Sequence, residues 1–218
     1  FGLYLGKQIP FKNVYFHGMV NDANNQKMSK SKGNVVSPIE MSDKFGTDAL
    51  RMALVVGNAP GSDIALSENK IKGYKHFTNK VWNIARFVLS NIDKLDTHHP
   101  PKLLDKDQRY LDELIKVSDE ITKELERLRF DLAADKIYHY IWHTFADVIL
   151  EDSKQYLNST SEKEKQSTMW TLYTILCSSL KIAHPFMPFV TEIIWEYIPY
   201  GKHKTLELLI IEEWPDQI

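Results

Sequence analysis

Apolar and polar positions follow two different rhythms along this chain. From Ser67 onward the apolar residues recur three and four apart, the repeat of a helix that buries one face. Ser67 to about Asn91 reads as one long amphipathic helix, and a proline-rich break, DTHHPPK at residues 96–102, follows it. Between Asp105 and Arg129 a single stripe of Leu111, Leu114, Ser118, Ile121, Leu125 and Leu128 predicts the seam of an antiparallel bundle. Asp131 stands where it would cap the next helix, with Ala134, Ile137, Ile141, Phe145 and Val148 facing inward. Ser161 and Glu164 have the spacing of a capping box. The helix they open would turn Met169, Leu172, Leu176, Leu180 and Ala183 to the core. A short helix restarts after Pro185 or Pro188, and the weakly alternating tail TLELLIIEEWP predicts a short strand or extended return.

Residues 1–66 have a different texture, with short apolar runs among glycines. The continuous run Val14 to Val20 predicts a buried strand that ends in the polar turn NDANN. Two short helices should follow, the first capped by Ser37 with Pro38 in its first turn, the second opened by Thr47 or Asp48 after Gly46. Asn58 to Asp63 is a turn cluster. The opening FGLYLGKQIPF carries neither an initiator methionine nor a capping signal and reads as the middle of a domain. The pattern thus predicts a mainly α protein: a small α/β portion over residues 1–66, joined to a bundle of about four or five helices over 67–218.

Composition narrows the chemistry. The 218 residues are 43% hydrophobic and 26% charged, with a net charge of −2, so any nucleic-acid site has to be a local patch. The single cysteine, Cys177, excludes an internal disulfide and a thiolate metal cluster. The eight histidines show no ligand spacing, so no metal site is expected. There is no secretory signal and no apolar run long enough to cross a bilayer; a reducing cytoplasmic setting with no membrane partner is the expectation.

One loop stands apart. Lys27-Met28-Ser29-Lys30-Ser31, followed by Lys32-Gly33, collects lysines and small hydroxyls with no acidic residue. A flexible ammonium on either side of a tight turn suits a polyphosphate, with hydroxyls and loop N–H groups adding donors. Such a clamp would stabilise charge on departing pyrophosphate. A bare basic turn in solvent would use the same residue types.

The string itself resembles the signature loop of class I aminoacyl-tRNA synthetases. Three further stretches carry the likeness: the run KGNVVSPIEMSDKFGTDALRMALVV resembles the region after that loop in the synthetases for branched aliphatic amino acids. NAPGSDIALSENKIKGYKHFTNKVWNIARFV looks most like the valyl enzymes, and AHPFMPFVTEIIW resembles a late motif of their anticodon-binding domain. The resemblance implies the end of a Rossmann catalytic domain with its loop, then an α-helical anticodon-binding domain. It implies that Lys30, assisted by Lys27, contacts ATP phosphates, with Ser29, Ser31 and Met28 shaping the loop. Valine, ATP with Mg²⁺, and valine tRNA are the implied substrates. The partner signature of the class, a His-x-Gly-His motif, is absent, since His17-Gly18-Met19 does not supply it. A C-terminal fragment without activation activity of its own is therefore expected.

A second feature is legible without the resemblance. Between Asn69 and Ile92 stand Lys70, Lys72, Lys75, Lys80 and Arg86 with no Asp or Glu, interleaved with aromatics. Asn79, Lys80, Asn83 and Arg86 are the expected tRNA contacts, and Phe77 and Trp82 fit burial equally well. Other readings stay open: an isoleucyl or leucyl enzyme, a non-catalytic RNA-binding helical module, or a small-molecule nucleotidyl transferase with a similar lysine loop. His184, Trp142, Trp170, Trp195 and Cys177 read as structural.

Overall fold

A computed structural model describes residues 1–215; the last three residues of the 67–218 region lie outside it. Helices dominate. A short turn of helix, α1 (Gly2–Gly6), precedes the paired helices α2 (Pro38–Phe45) and α3 (Thr47–Val55). Then come α4 (Glu68–Leu89), α5 (Asp105–Glu126), α6 (Phe130–His139), α7 (Leu150–Leu157), α8 (Glu162–Ala183) and α9 (Pro188–Tyr197). Strands β1 (Val20–Asn21) and β2 (Ile64–Ala65) form one parallel pair, with Val20 opposite Ile64 and Asn21 opposite Ala65.

The local start signals act as their chemistry requires. Ser37, Ser67 and Ser161 each accept a hydrogen bond from the backbone N–H three residues on, satisfying one orphan donor of the helix they open. The capping box is completed indirectly: Ser159 Oγ donates to Glu164 and accepts from the Ser161 N–H. Asp131 does not cap. It sits inside the first turn of α6, where Arg129 grips its carboxylate with two N–H donors at 2.8 and 3.0 Å and holds its pKa down.

α8 is the axis of the bundle. It is buried from Ser167 to Leu180 apart from half-buried Met169, as a helix must be when apolar and small residues surround it. Some of its hydroxyls find partners: Thr171 donates to the Ser167 carbonyl, and Ser167 donates to buried Asp107 while accepting from the Leu104 N–H, whereas the buried Thr168 and Ser179 hydroxyls have none among the described residues. α5, α6 and α4 pack around it, and α9 closes one end. A smaller core of Met41, Ala49, Leu50, Ala53, Leu66 and Ile71 lies under α2 and α3.

Four further expectations fail for physical reasons. Val14 to Met19 forms no strand and is largely exposed, because only Val20 and Asn21 find a neighbouring strand among the described residues. Leu128 leaves the stripe: with φ at 59° it takes the left-handed position of a Schellman motif, in which the Arg129 N–H returns to the Glu124 carbonyl. Val148 is exposed and Ile149 buried, because Tyr140–Ile149 is a π-helical stretch between α6 and α7. Its wider turn carries the inward face from Ile141 to Phe145 to Ile149. The tail forms a single 3₁₀ turn, Leu209–Ile211, since Glu192 on α9 takes the Leu209 and Ile210 N–H groups that a strand would offer a neighbour.

Candidate functional site

The lysine loop leaves β1 at Asn21 and is held by two side chains that the sequence pattern did not single out. Asp22 accepts from the Asn24 and Gln26 N–H groups through one oxygen and from the Asn34 amide through the other. Those bonds, the one from Asn34 first, hold its carboxyl below the usual range. Asn34 then reaches across the loop, donating to the Lys27 carbonyl at 3.3 Å and accepting from the Ser29 N–H at 2.8 Å. An Asn placed shortly after a Lys/Ser loop and an Asp before it were the available signal.

Within this tie each predicted residue has a distinct setting. Met28 is half-buried and packs on the smaller core, so the loop has an apolar anchor. Ser29 and Ser31 share a hydrogen bond between hydroxyls at 2.8 Å. Lys30 opens a 3₁₀ turn, Lys30–Lys32, closed by Gly33 at φ 67°, which suits a residue without Cβ. Lys27, Lys30 and Lys32 are exposed, and none makes an ion pair among the described residues. The loop therefore offers ammonium groups to solvent from a backbone whose shape is fixed from inside.

The basic stripe on α4 is thinner than its composition. Lys70 is half-buried, donates to the Val56 carbonyl and has its pKa pulled down by burial. Lys75 donates to the Lys44 carbonyl. Lys80 pairs with Asp147 at 3.0 Å and lies over the Trp142 ring. Lys72, Asn79, Asn83 and Arg86 remain exposed, and the helical repeat puts them on one solvent face. Of the uncertain aromatics, Phe77 is in the core and Trp82 is not. Lys80, Asn83 and Phe87 border a shallow cavity of about 160 Å³ against Leu150, Glu151 and Lys154. Lys154 belongs to this edge although sequence spacing along α4 could not reach it. Trp170 and Trp195 are buried, and Trp142 is partly so. Cys177 is buried, its thiol pushed up to about 12 by desolvation. His184 hydrogen-bonds Thr191 at the joint between α8 and α9. Among the described residues no cluster of three metal-ligating side chains occurs, and no helix is long and apolar enough to cross a membrane.

A helical bundle with a basic face on α4, joined to a lysine loop beside a parallel strand pair, fits the arrangement expected from the resemblance. Comparison with known proteins agrees. Residues 1–67 match the family model for tRNA synthetases class I (I, L, M and V). Residues 107–218, just over half of the chain, match the anticodon-binding domain of tRNA ligase, and the chain belongs to that family. Its similarity runs in particular to valine–tRNA ligases: 43% identity over 216 residues with that of Syntrophotalea carbinolica, covering 95% of this chain and 24% of the relative. The valine–tRNA ligase of Clostridium tetani is 40% identical over 218 residues, 99% of this chain and 24% of the relative. The chain thus spans about a quarter of the length of these curated relatives. Two solved structures share the fold. The LeuRS of Agrobacterium radiobacter K84, in a ternary complex with tRNA and LeuAMS, has a TM-score of 0.75 at 22% identity, covering 94% of this chain and 24% of that one. The Mycobacterium tuberculosis methionyl-tRNA synthetase in complex with methionyl-adenylate has a TM-score of 0.68 at 24% identity, covering 83% and 37%.

Proposed function

We propose that the protein is a valine–tRNA ligase of the cytoplasm, and that this chain supplies its ATP-clamping loop and its anticodon-binding bundle, divided near residues 66 and 67. The observation that carries the reading is the pair of exposed lysines, Lys27 and Lys30, on a loop whose backbone Asn34 and Asp22 tie in place. In the reaction, the valine carboxylate attacks the α-phosphorus of ATP, which enters with Mg²⁺, and pyrophosphate leaves. Lys30 holds the developing negative charge on the departing phosphates and Lys27 assists, while Ser29, Ser31 and the Met28 backbone shape the cradle. The tRNA then lies along α4, where Asn79, Lys80, Asn83 and Arg86 meet it. Of these, Lys80 has to exchange its pairing with Asp147 for a phosphate, which makes it the most salt-sensitive of the four.

The test is valine-dependent ATP–pyrophosphate exchange by the full-length protein. Lys30→Ala should lower kcat by about 10²- to 10³-fold, the usual loss for a preorganised charge-stabilising donor, with tRNA affinity unchanged. Preference for isoleucine over valine in the same assay would refute the choice of amino acid, and full exchange by Lys30→Ala would refute the role of the loop.

A further inference from the structure

The solvent face of α4 is flanked by unlike edges. One edge, with Lys80 and Phe87, borders the π-helical stretch and α7. The other carries Trp82 and borders α9. There Trp82 is 41% exposed and Tyr197 is 63% exposed. Their rings meet edge to face at 6.4 Å, and both keep ring surface open to solvent. Between them opens a notch of about 170 Å³ lined by Trp82, Ala85, Arg86, Leu89, Ile194 and Tyr197. Its walls are apolar except for one guanidinium.

The surroundings say what would fill it. From Asn69 to Ile92 the chain holds no Asp or Glu. Arg86 lines the notch, and the exposed Asn79 and Asn83 follow on the solvent face of α4. A flat aromatic wall, an adjacent cation and amides that both donate and accept match the face, the backbone charge and the edge of a nucleobase. A protein partner with an apolar knob would fit the walls but leave the guanidinium and amides of the α4 face unmatched. We propose that this notch is a stacking site for one unpaired base of the tRNA, with Trp82 as the platform and Arg86 held for the neighbouring phosphate. The proposal rests on the tRNA-binding reading above and adds to it a subsite on the α9 edge.

The experiment is equilibrium binding of valine tRNA transcript over a salt series, with wild-type protein, Trp82→Leu, Trp82→Phe and Arg86→Gln. Trp82→Leu should weaken binding about 5- to 150-fold, the worth of one stacked base, and leave the salt slope unchanged. Trp82→Phe should retain most of the affinity, and Arg86→Gln should reduce the slope by about one. Far-UV circular dichroism and Tm confirm that each variant folds. A 2-aminopurine placed in turn at unpaired positions of the tRNA should be quenched at one position by wild type and not by Trp82→Leu. Wild-type affinity in Trp82→Leu, alongside a lowered slope in Arg86→Gln, would overturn the stacking site and leave tRNA binding standing. Protection of Trp82 from oxidative labelling in the RNA-free protein would overturn it in favour of a protein occupant. Failure of the wild-type protein to bind any tRNA would remove the underlying reading as well.

Discussion

Asp48 joins the two parts of the chain, and its replacement separates the contribution of its charge from that of its hydrogen bonds. The side chain is buried on α3, yet it accepts the Phe189 and Val190 N–H groups at 3.2 and 2.7 Å. Those are free donors at the start of α9, where Pro188 has no N–H and Met187 offers no side-chain cap. Arg51, one turn along, takes the complementary role and donates to the Pro185 and Phe186 carbonyls. Burial nevertheless raises the Asp48 pKa, outweighing both backbone bonds and the nearby Arg51 and His184. Its negative charge is therefore not what stabilises the joint; the two acceptor oxygens are.

From that balance, Asp48→Ala should cost about 3 kcal/mol, since it leaves two donors without acceptors and one of them is buried. Asp48→Asn keeps one acceptor and avoids burying a charge, and should cost about 1 kcal/mol. Urea unfolding of wild type and both variants from pH 4 to pH 8 measures the difference. Between the ordinary carboxylate pKa of 3.8 and the raised folded value, the folded state holds a proton that the unfolded chain has released. Wild-type stability from this group thus falls as pH rises through that window and is flat above it. His184, pulled down by burial, titrates in the opposite sense in all three proteins. Subtracting Asp48→Asn from wild type leaves Asp48 together with its coupling to His184, and that difference should shrink as pH rises. Equal losses for Asn and Ala, or a difference that grows with pH, would refute the reasoning.

Three further outcomes are expected. His203, pressed against Trp170 and Tyr173 and hydrogen-bonded to Thr174, has its pKa lowered to about 4, first by burial and then by Lys202 and Lys181. The unfolded chain takes up this proton first as pH falls below about 6.5, so about 2–3 kcal/mol of stability should be lost between there and pH 4, and His203→Gln should flatten that limb of the acid-unfolding curve. In the π-helical stretch, Ile149→Ala should cost about 2–5 kcal/mol and Val148→Ala less than about 0.5 kcal/mol in chemical denaturation; the reverse order would mean α-helical register there. Asn34→Ala should raise the initial rate of tryptic cleavage at the lysine loop about tenfold with little change in global Tm, because it frees the loop and touches neither core.

What the sequence disclosed followed the range of the interactions. Ser37, Ser67 and Ser161 were legible as caps because each acts on a donor three residues away. The stripe of α5 was legible up to Leu125 because an α-helix repeats with a fixed period. The reading failed where the period changed, as at Ile149, or where a distant group intervened, as when Glu192 captured the N–H groups of the tail. At the site, the lysine string was legible as chemistry, but its support by Asp22 and Asn34 depends on a closed loop that spacing does not encode. The α4 stripe was overcounted for the same reason: Val56, Lys44 and Asp147, which engage Lys70, Lys75 and Lys80, approach only in the fold.

α4 links both candidate sites. Ile71 near its start belongs to the small core on which Met28 of the lysine loop packs, Phe77 to Val88 belong to the large core, and Tyr74 touches both. Desolvation at that junction pushes the Tyr74 hydroxyl up to about 12. From Ile71 to Arg86 the helix rises about 22 Å, so the loop's anchor and the stripe proposed to meet tRNA are held apart by a rod of fixed length. Gly73 interrupts it. This glycine is exposed and has no neighbour within 4 Å of where a Cβ would stand, and its φ is not positive. Neither close packing nor backbone geometry requires glycine there, while its freedom in the unfolded chain weakens the helix. Gly73→Ala should therefore raise stability by about 0.5–1 kcal/mol in thermal or urea unfolding. A loss of stability instead would mean that α4 bends at Gly73 in the folded protein, and the fixed spacing between loop and stripe would fall with it.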